Sequence, residues 1–223
     1  MIEAVIFDMD GVLIDSEPYW QEAQKEVFKK VDVEVTDAMC HETMGLRIDE
    51  VVAHWFLKYR WNGMSPREVE EKIVQGVIDR VHLRGTLLPG VHESIDLFKK
   101  KKLKIALASS SAVRPIHAVL DKFDLKKNFD VIHSAENEPY GKPHPAIYLS
   151  TAKLLESDPT SCLAIEDSFN GLVAAKAARM KTVVIPDRSQ SDQTRFDIAD
   201  VKLRSLSDLT AERLNDLVIH SQE

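Results

Sequence analysis

The stretch Ala4-Val5-Ile6-Phe7-Asp8-Met9-Asp10-Gly11 decides the fold, because an apolar run within it ends abruptly in acidic residues. A short, continuous apolar run is typical of a strand covered on both faces, as in a parallel sheet flanked by helices. Gly11 allows the sharp turn that the chain needs where it leaves such a strand. The stretch therefore predicts an α/β protein whose first strand, residues 4–7, leads directly to the carboxylates of Asp8 and Asp10.

The same apolar pattern recurs along the chain and predicts four further buried strands, at residues 105–108, 131–132, 162–165 and 182–185. Stretches between most of these runs predict helices, at residues 91–101, 112–123, 146–155 and 170–179. Strands that alternate with helices form a parallel sheet with right-handed crossovers. We therefore expect a doubly wound α/β sheet with helices on both faces.

About ninety residues separate the first predicted strand from the second, many more than the dozen or so that a crossover requires. Residues 65–68 form a capping box, and the apolar positions behind it recur every four residues, at Val69, Ile73, Val77 and Val81. Another helix start is predicted at Ser16, which we expect to be its N-cap. We therefore predict a helical cap domain at residues 15–84, called the insert below, within a catalytic core of residues 1–14 and 85–223.

Composition narrows the possible partners of the protein. The formal charge is −7 and no basic run interleaves with aromatic residues, which argues against nucleic-acid binding. No apolar run approaches the roughly 18 residues of a spanning helix, and the N-terminal residues lack a basic leader. Cys40 and Cys162 fit no metal-ligand spacing. We expect a cytoplasmic protein without membrane partners that is a monomer or a weak homo-oligomer.

Polar groups follow three of the predicted strands directly, and a lysine precedes one of the predicted helices. These residues are Asp8, Asp10, Ser109, Ser110, Ser111, Glu166, Asp167 and Lys142. In an open α/β sheet, ligands bind outside the carboxyl ends of the strands. The sequence therefore predicts that these side chains converge on one site.

Several carboxylates with one lysine and hydroxyl donors suit a divalent metal ion and a phosphoryl group. Mg²⁺ prefers oxygen ligands and is typically held by one or two carboxylates together with a substrate phosphate, which makes Asp8 and Asp167 candidate ligands. An ionised Asp8 could attack phosphorus once the metal and Lys142 offset the repulsion between two anions. Asp10 could protonate the departing alcohol and later activate water.

Each of these segments has a simpler explanation when it is taken alone. Residues 8–11 could form an ordinary turn, the serine run could cap a helix through Ser111, and Lys142 could be an exposed loop residue. Residues 166–168 could be only the start of the helix that follows, with Ser168 contributing to its cap. The occurrence of all these segments in one chain favours a shared site.

The segments around Asp8, Ser109, Lys142 and Asp167, in this order, resemble the four signature motifs of the haloacid dehalogenase superfamily. The insert resembles the cap of the branch that contains β-phosphoglucomutase and many sugar phosphatases. Within that branch, four segments are similar to the bacterial hexitol and 2-deoxyglucose-6-phosphate phosphatases, at residues 15–18, 44–49, 139–145 and 177–180. Arg179 departs from the glycine that many members of the superfamily have there.

The resemblance implies a Mg²⁺-dependent phosphatase that acts on a small sugar or sugar-alcohol phosphate, for example 2-deoxyglucose 6-phosphate or a hexitol phosphate. The roles that it implies are Asp8 as nucleophile and metal ligand, Asp10 as acid/base and metal ligand through its carbonyl oxygen, Asp167 as metal ligand, and Ser109, Ser110 and Lys142 as phosphate binders. Glu166 is expected to bind the metal directly or through water. Arg47 and Glu17 are expected to contact the substrate, although Arg47 could equally be a surface residue.

Two other functions fit the same scaffold. A phosphomutase would pass the phosphate to a second hydroxyl instead of to water, and a non-catalytic sensor would only bind the sugar phosphate. β-Phosphoglucomutase carries a histidine where this chain has Trp20, and its cap arginine is matched only loosely by Arg47. Both departures favour hydrolysis. The presence of Asp8 and Asp10 argues against the sensor.

Overall fold

The computed structural model describes residues 2–214, and its centre is a six-stranded sheet in which each strand runs parallel to its neighbours. The strands are β1 (Ala4–Phe7), β2 (Lys104–Ser109), β3 (Val131–Ser134), β4 (Cys162–Glu166), β5 (Lys181–Val184) and β6 (Val201–Lys202). Their order across the sheet is β3-β2-β1-β4-β5-β6. All five predicted strands are confirmed. The sequence does not predict β6, because it has only two residues and neither is buried.

Strand β1 lies between β2 and β4, and its end is level with theirs. Phe7 is paired with Leu107 on one side and with Ile165 on the other. The residues that follow these three strands therefore emerge together at one edge of the sheet. This register is what brings the predicted site residues into one place.

Helices cover both faces of the sheet: α5 (Val91–Lys100), α6 (Val113–Lys122), α7 (Ala146–Leu154) and α8 (Phe169–Ala177). Successive side chains of β1 alternate between the faces, as the pleat requires. Phe7 points to one face and meets Phe98 of α5 edge to face, with ring centroids 5.6 Å apart. Ile6 belongs to the other core, which contains Tyr148 of α7 and a set of small alanines. The doubly wound α/β fold is confirmed.

The insert contributes four helices between β1 and β2: α1 (Glu17–Lys29), α2 (Asp37–Glu42), α3 (Ile48–Tyr59) and α4 (Pro66–Arg84). The predicted capping box begins α4, because the Ser65 hydroxyl accepts from the Glu68 amide and the Glu68 carboxylate accepts from the Ser65 amide. The predicted apolar stripe is buried where α4 packs on α1 and α3. The domain boundaries at residues 14–15 and 84–85 stay predictions.

The two segments that connect the insert to the sheet lie side by side. Ile14 forms an antiparallel bridge with Leu87, and the Leu88 amide donates to the Leu13 carbonyl oxygen at 3.0 Å. The two connections between the insert and the core are therefore hydrogen-bonded to each other. This arrangement is suited to a hinge between the insert and the core.

Arg179 has a φ of 64°, in the left-handed region that side chains rarely adopt. It lies just after the end of α8, where a helix commonly ends in a left-handed residue and where glycine is favoured for that reason. The backbone therefore explains why a glycine would suit this position. Here the arginine adopts the same conformation at a modest energetic cost.

Candidate active site

The carboxyl ends of β1, β2 and β4 surround one cavity of about 70 Å³. The predicted residues that line it are Asp8, Asp10, Glu17, Ser109, Ser110, Ser111, Lys142 and Asp167. The insert closes the other side with residues of α1, of α3 and of the loop that joins α2 to α3. This volume is smaller than the roughly 300–1,000 Å³ of most ligand pockets.

Lys142 lies at the centre of the core side of this cavity and is only 2% exposed. Its Nζ donates to Asp8 Oδ1 at 2.8 Å and to Glu166 Oε1 at 2.5 Å. A contact at 3.5 Å with the Ala108 carbonyl oxygen completes its surroundings. The alternative of an exposed loop lysine is therefore wrong. A lysine buried between two carboxylates can orient Asp8 and bind an anion placed beside it.

Glu166 is fully buried and both of its carboxylate oxygens accept hydrogen bonds. Lys142 and the Tyr148 hydroxyl donate to Oε1. The Asp167 amide and the Ser168 hydroxyl donate to Oε2, at 3.2 and 3.3 Å. Because these bonds occupy both oxygens, the arrangement favours Glu166 as a group that holds Lys142, with any contact to a metal made through water.

Burial raises the pKa of Asp8 to about 8; Lys142 lowers it, whereas Glu166 and Asp10 raise it further. Burial also holds the pKa of Asp167 well above its usual range, with added repulsion from Asp8 and Glu166. Burial alone would lower the pKa of Lys142, but Asp8 and Glu166 together hold it above its usual value. One lysine therefore does not offset the buried negative charge, and the site favours a proton or a cation.

Asp8, Glu166 and Asp167 each offer a carboxylate oxygen, and these three oxygens lie within 4.8 Å of one another. All three residues are buried. Gly11, at a φ of 71°, passes so close to the Asp167 carboxylate that a Cβ at this position would collide with it. A compact set of hard oxygen donors with excess negative charge fits a Mg²⁺ ion. These residues could hold such an ion.

The carboxylate of Asp10 is not a member of this cluster and accepts hydrogen bonds from three donors. The Ser16 hydroxyl and the Trp20 indole nitrogen donate to Oδ1, the latter at 3.0 Å, and the Ser111 hydroxyl donates to Oδ2 at 2.6 Å. Sequence reasoning missed all three contacts. It assigned Ser16 and Ser111 to helix caps. Ser16 does occupy the N-cap position of α1, but its side chain makes no capping hydrogen bond, and Ser111 is not the N-cap of α6.

The other serines near the cavity have different contacts. Ser109 is the last residue of β2, and its hydroxyl accepts from the Ser111 amide at 3.1 Å. The Ser110 hydroxyl donates to the Gly45 carbonyl oxygen in the insert at 2.9 Å. Ser168 caps α8 as predicted, accepting from the Gly171 amide. Ser109 and Ser110 both line the cavity, so both could reach a bound phosphate.

Arg47 is not among the residues that line the cavity. Its Nη1 donates to the carbonyl oxygens of Ala135 and Glu138, at 3.1 and 2.6 Å, and its guanidinium also pairs with Asp49. In this arrangement the guanidinium joins the insert to the core, and the predicted contact between Arg47 and the substrate stays a prediction. Next to it, Glu50 accepts from the Gly141 amide at 3.1 Å, which adds a second link.

Helix α1 presents Glu17 to the cavity, as predicted, together with two residues that sequence reasoning did not assign to the substrate. These are Trp20 and Gln24. Burial raises the pKa of Glu17, and Gln21 counteracts this by donating to Oε1 at 2.9 Å. The signal that was available is their spacing, because residues three and four apart share a helix face.

Comparison with known proteins agrees with the motif resemblance. The model of the haloacid dehalogenase-like hydrolase family matches residues 5–185. The chain is 46% identical to Hexitol phosphatase B of Escherichia coli (strain K12), with 96% of each chain covered. It is 34% identical to the Phosphorylated carbohydrates phosphatase of Thermotoga maritima, over 82% of this chain and 84% of the relative. The crystal structure of a β-phosphoglucomutase from Clostridium difficile is similar with a TM-score of 0.86 and 25% identity, covering 99% of both chains.

The chain therefore belongs to the haloacid dehalogenase-like hydrolase family. The predicted likeness to the branch with hexitol phosphatases and β-phosphoglucomutase is confirmed. The prediction that the protein is an enzyme of the phosphatase class is confirmed as well.

Proposed function

We propose that this phosphatase requires Mg²⁺ and hydrolyses small sugar or sugar-alcohol phosphates through a phospho-aspartate at Asp8. The observation that carries the proposal is the contact of Lys142 with both Asp8 and Glu166, beside Asp167, in a buried cavity at the strand ends. Candidate substrates are 2-deoxyglucose 6-phosphate and hexitol phosphates. The relatives named Hexitol phosphatase B and Phosphorylated carbohydrates phosphatase support this substrate class.

In the first half of the proposed reaction, a carboxylate oxygen of Asp8 attacks the phosphorus atom, and the bond from phosphorus to the substrate's alcohol oxygen breaks. Lys142 orients Asp8 by donating a hydrogen bond to its Oδ1. Ser109 and Ser110 bind phosphate oxygens. Asp10 gives its proton to the departing alcohol oxygen. The products are the free alcohol and a phospho-aspartate.

In the second half, a water molecule attacks the phosphorus atom of the phospho-aspartate. Asp10, now ionised, takes the proton from that water. The bond from phosphorus to Asp8 breaks, phosphate is released, and the Asp8 carboxylate is regenerated. Ser16, Trp20 and Ser111 hold the Asp10 carboxylate near the cavity for both transfers.

For the metal, we propose that Asp8 and Asp167 supply carboxylate oxygens, Asp10 its backbone carbonyl oxygen, and Glu166 a contact through water. A bound Mg²⁺ ion offsets the negative charge of the phosphate and of the carboxylates around it. The proposal is supported by the closeness of the acidic oxygens and by the raised pKa values of Asp8 and Asp167.

Release of phosphate from 2-deoxyglucose 6-phosphate and from hexitol phosphates tests the proposal, in Mg²⁺ and in EDTA. We expect turnover in Mg²⁺ and none in EDTA. Asp8→Asn should abolish turnover and leave the fold intact, because the amide has nearly the same shape but does not attack phosphorus. A variant that retained even a tenth of the wild-type kcat would overturn the role of Asp8.

A phosphomutase is the second candidate, since the structural similarity to β-phosphoglucomutase extends over 99% of both chains. Trp20 favours hydrolysis, because its indole nitrogen is only a donor and does not take a proton from a second sugar hydroxyl. Incubation with β-glucose 1-phosphate separates the two reactions. Free phosphate is the result that we expect, and accumulation of glucose 6-phosphate would favour the mutase.

The partner that we propose is the small phosphorylated substrate alone. Within residues 2–214, no helix is both long enough and apolar enough to cross a membrane. The expectations of a cytoplasmic location, of no nucleic-acid partner and of a monomer or weak homo-oligomer stay predictions.

A further inference from the structure

One face of helix α1 forms the wall of the cavity opposite the phosphate-binding residues. Glu17, Trp20 and Gln24 follow one another at intervals of three and four residues, which places them on the same side of the helix. All three line the cavity that also contains Asp8 and Lys142. Trp20 is engaged with Asp10, which leaves Glu17 and Gln24 as the groups available to a bound molecule.

Gln24 is 6% exposed, and its Oε1 has no hydrogen-bond donor within residues 2–214. A buried acceptor without a donor destabilises a folded protein relative to an apolar side chain of similar shape. One other buried side-chain atom in the described part of the chain shares this condition, Trp55 Nε1, and Trp55 does not border the cavity. Gln24 itself lines the cavity, so a ligand bound there is a candidate source of the missing donor.

The surroundings indicate which kind of donor fits. Glu17 and the Gln24 oxygen both offer acceptors, which suit a hydrogen-bond donor on the substrate better than a second phosphate or a carboxylate. Ile48 and Val51 add apolar surface, against which a carbon chain can pack. Uncharged hydroxyl groups on a short carbon chain satisfy both conditions, because each hydroxyl donates one hydrogen bond.

We propose that Gln24 is a specificity-determining residue, whose Oε1 accepts a hydrogen bond from a hydroxyl group of the substrate remote from its phosphate. Glu17 is the second acceptor for the same hydroxylated chain. This inference rests on the phosphatase function proposed above and narrows its substrate to a polyhydroxylated monophosphate. The contact forms when the insert closes over the substrate.

Gln24→Met tests the proposal, because methionine has similar length and no strong acceptor. Gln193→Met is the matched control, since Gln193 is exposed and outside the cavity. For each protein, kcat/KM is measured with a hexitol phosphate and with propyl phosphate, which has no hydroxyl group. We expect Gln24→Met to lose about 5- to 150-fold with the hexitol phosphate and little with propyl phosphate. The Gln193→Met control should keep the wild-type kcat/KM with both substrates.

The melting temperature separates recognition from structure. Without substrate, Gln24→Met should melt at the same temperature as the wild type or higher, because an unpaired buried acceptor is removed. If that variant fails to fold, Gln24→Asn is tested in its place, because asparagine is shorter by one methylene and its amide lies further from the substrate. It should show the same loss of kcat/KM with the hexitol phosphate only. Equal losses with both substrates, or no loss with either, would overturn the role of Gln24.

Binding to an inactive protein separates this inference from the proposed function. In the Asp8→Asn background, calorimetry should show that Gln24→Met weakens binding of the hexitol phosphate, while Gln193→Met does not. If wild type released no phosphate from any substrate, the proposed function would fail. Unchanged hexitol phosphate binding in Gln24→Met would overturn the inference alone.

Discussion

In the core half of the active site, Lys142 donates a hydrogen bond to Glu166 within a buried network that also contains Asp8 and Tyr148. The polar groups of this half are therefore paired. In the insert half, helix α1 presents a buried oxygen of Gln24 that has no partner within residues 2–214. Under the proposed function, the paired half binds the phosphate, which is the same in every monoester, and the half with the open acceptor binds the body of the substrate, which varies. The two halves would then divide chemistry from selectivity.

Substitution of Lys142 should have the largest effect, because it breaks the paired half. Lys142→Met leaves Asp8 and Glu166 buried without their cation, which typically costs about 3–5 kcal/mol of stability. Phosphate release should be lost for every substrate, and chemical denaturation should show the lower stability. Lys153→Met, at an exposed position of α7, is the control. A Lys142 variant with near-normal stability would show that the buried network contributes little to the free energy of unfolding.

Loss of the acid/base group comes next in size. Asp10→Asn should slow turnover of alkyl phosphates by about 10²–10⁴-fold, the usual contribution of such groups. The loss should be smaller for aryl phosphates, because their leaving groups need little protonation. The ratio of the two losses is measured with one alkyl and one aryl substrate. Equal losses would show that Asp10 serves only to hold the metal or the loop.

The pH dependence of stability tests whether the buried carboxyl groups of the core half have raised pKa values. The pKa of folded Asp8 lies at about 8, above the 3.8 of an unperturbed aspartate, so the stability it contributes is full below pH 3.8 and is lost as the pH rises through about 8. The raised pKa of Asp167 acts in the same direction. In EDTA, the melting temperature should therefore fall between pH 6 and pH 9.

The same experiment with Mg²⁺ tests whether a bound cation replaces the proton. Mg²⁺ should raise the melting temperature more at pH 9 than at pH 6. A melting temperature in EDTA that stayed constant or rose over this range would contradict the assigned charges.

The smallest expected effect concerns the docking of the insert. Arg47→Lys should raise KM a few-fold for sugar and aryl phosphates alike, because lysine does not reproduce the two bonds to the Ala135 and Glu138 carbonyl oxygens. Steady-state kinetics with both substrates measures the effect. A loss confined to the sugar phosphate would instead place Arg47 in contact with the substrate.

The sequence was sufficient for the parts of the fold that depend on local pattern. Continuous apolar runs predict β1 to β5, and the capping box at Ser65 predicts the start of α4, because each signal lies within a few residues. The motif residues Asp8, Lys142 and Asp167 meet as predicted, because parallel strands end at one edge.

Contacts between distant segments were beyond sequence reasoning. Ser16 and Ser111 look like helix caps locally, and only the docking of the insert turns their hydroxyls towards Asp10. The bonds from Arg47 to the carbonyl oxygens of Ala135 and Glu138 join segments that are far apart in the sequence. The orphan oxygen of Gln24 is likewise a property of the packed structure.

Trapping of the covalent intermediate tests directly whether Asp8 is the nucleophile. Wild-type protein is mixed with a radiolabelled hexitol phosphate and Mg²⁺, quenched in acid within one turnover, digested and mapped by mass spectrometry. We expect acid-stable, hydroxylamine-labile phosphate on Asp8, and none in Asp8→Asn. Phosphate on a serine or a histidine, or turnover without any labelled protein under these conditions, would contradict it.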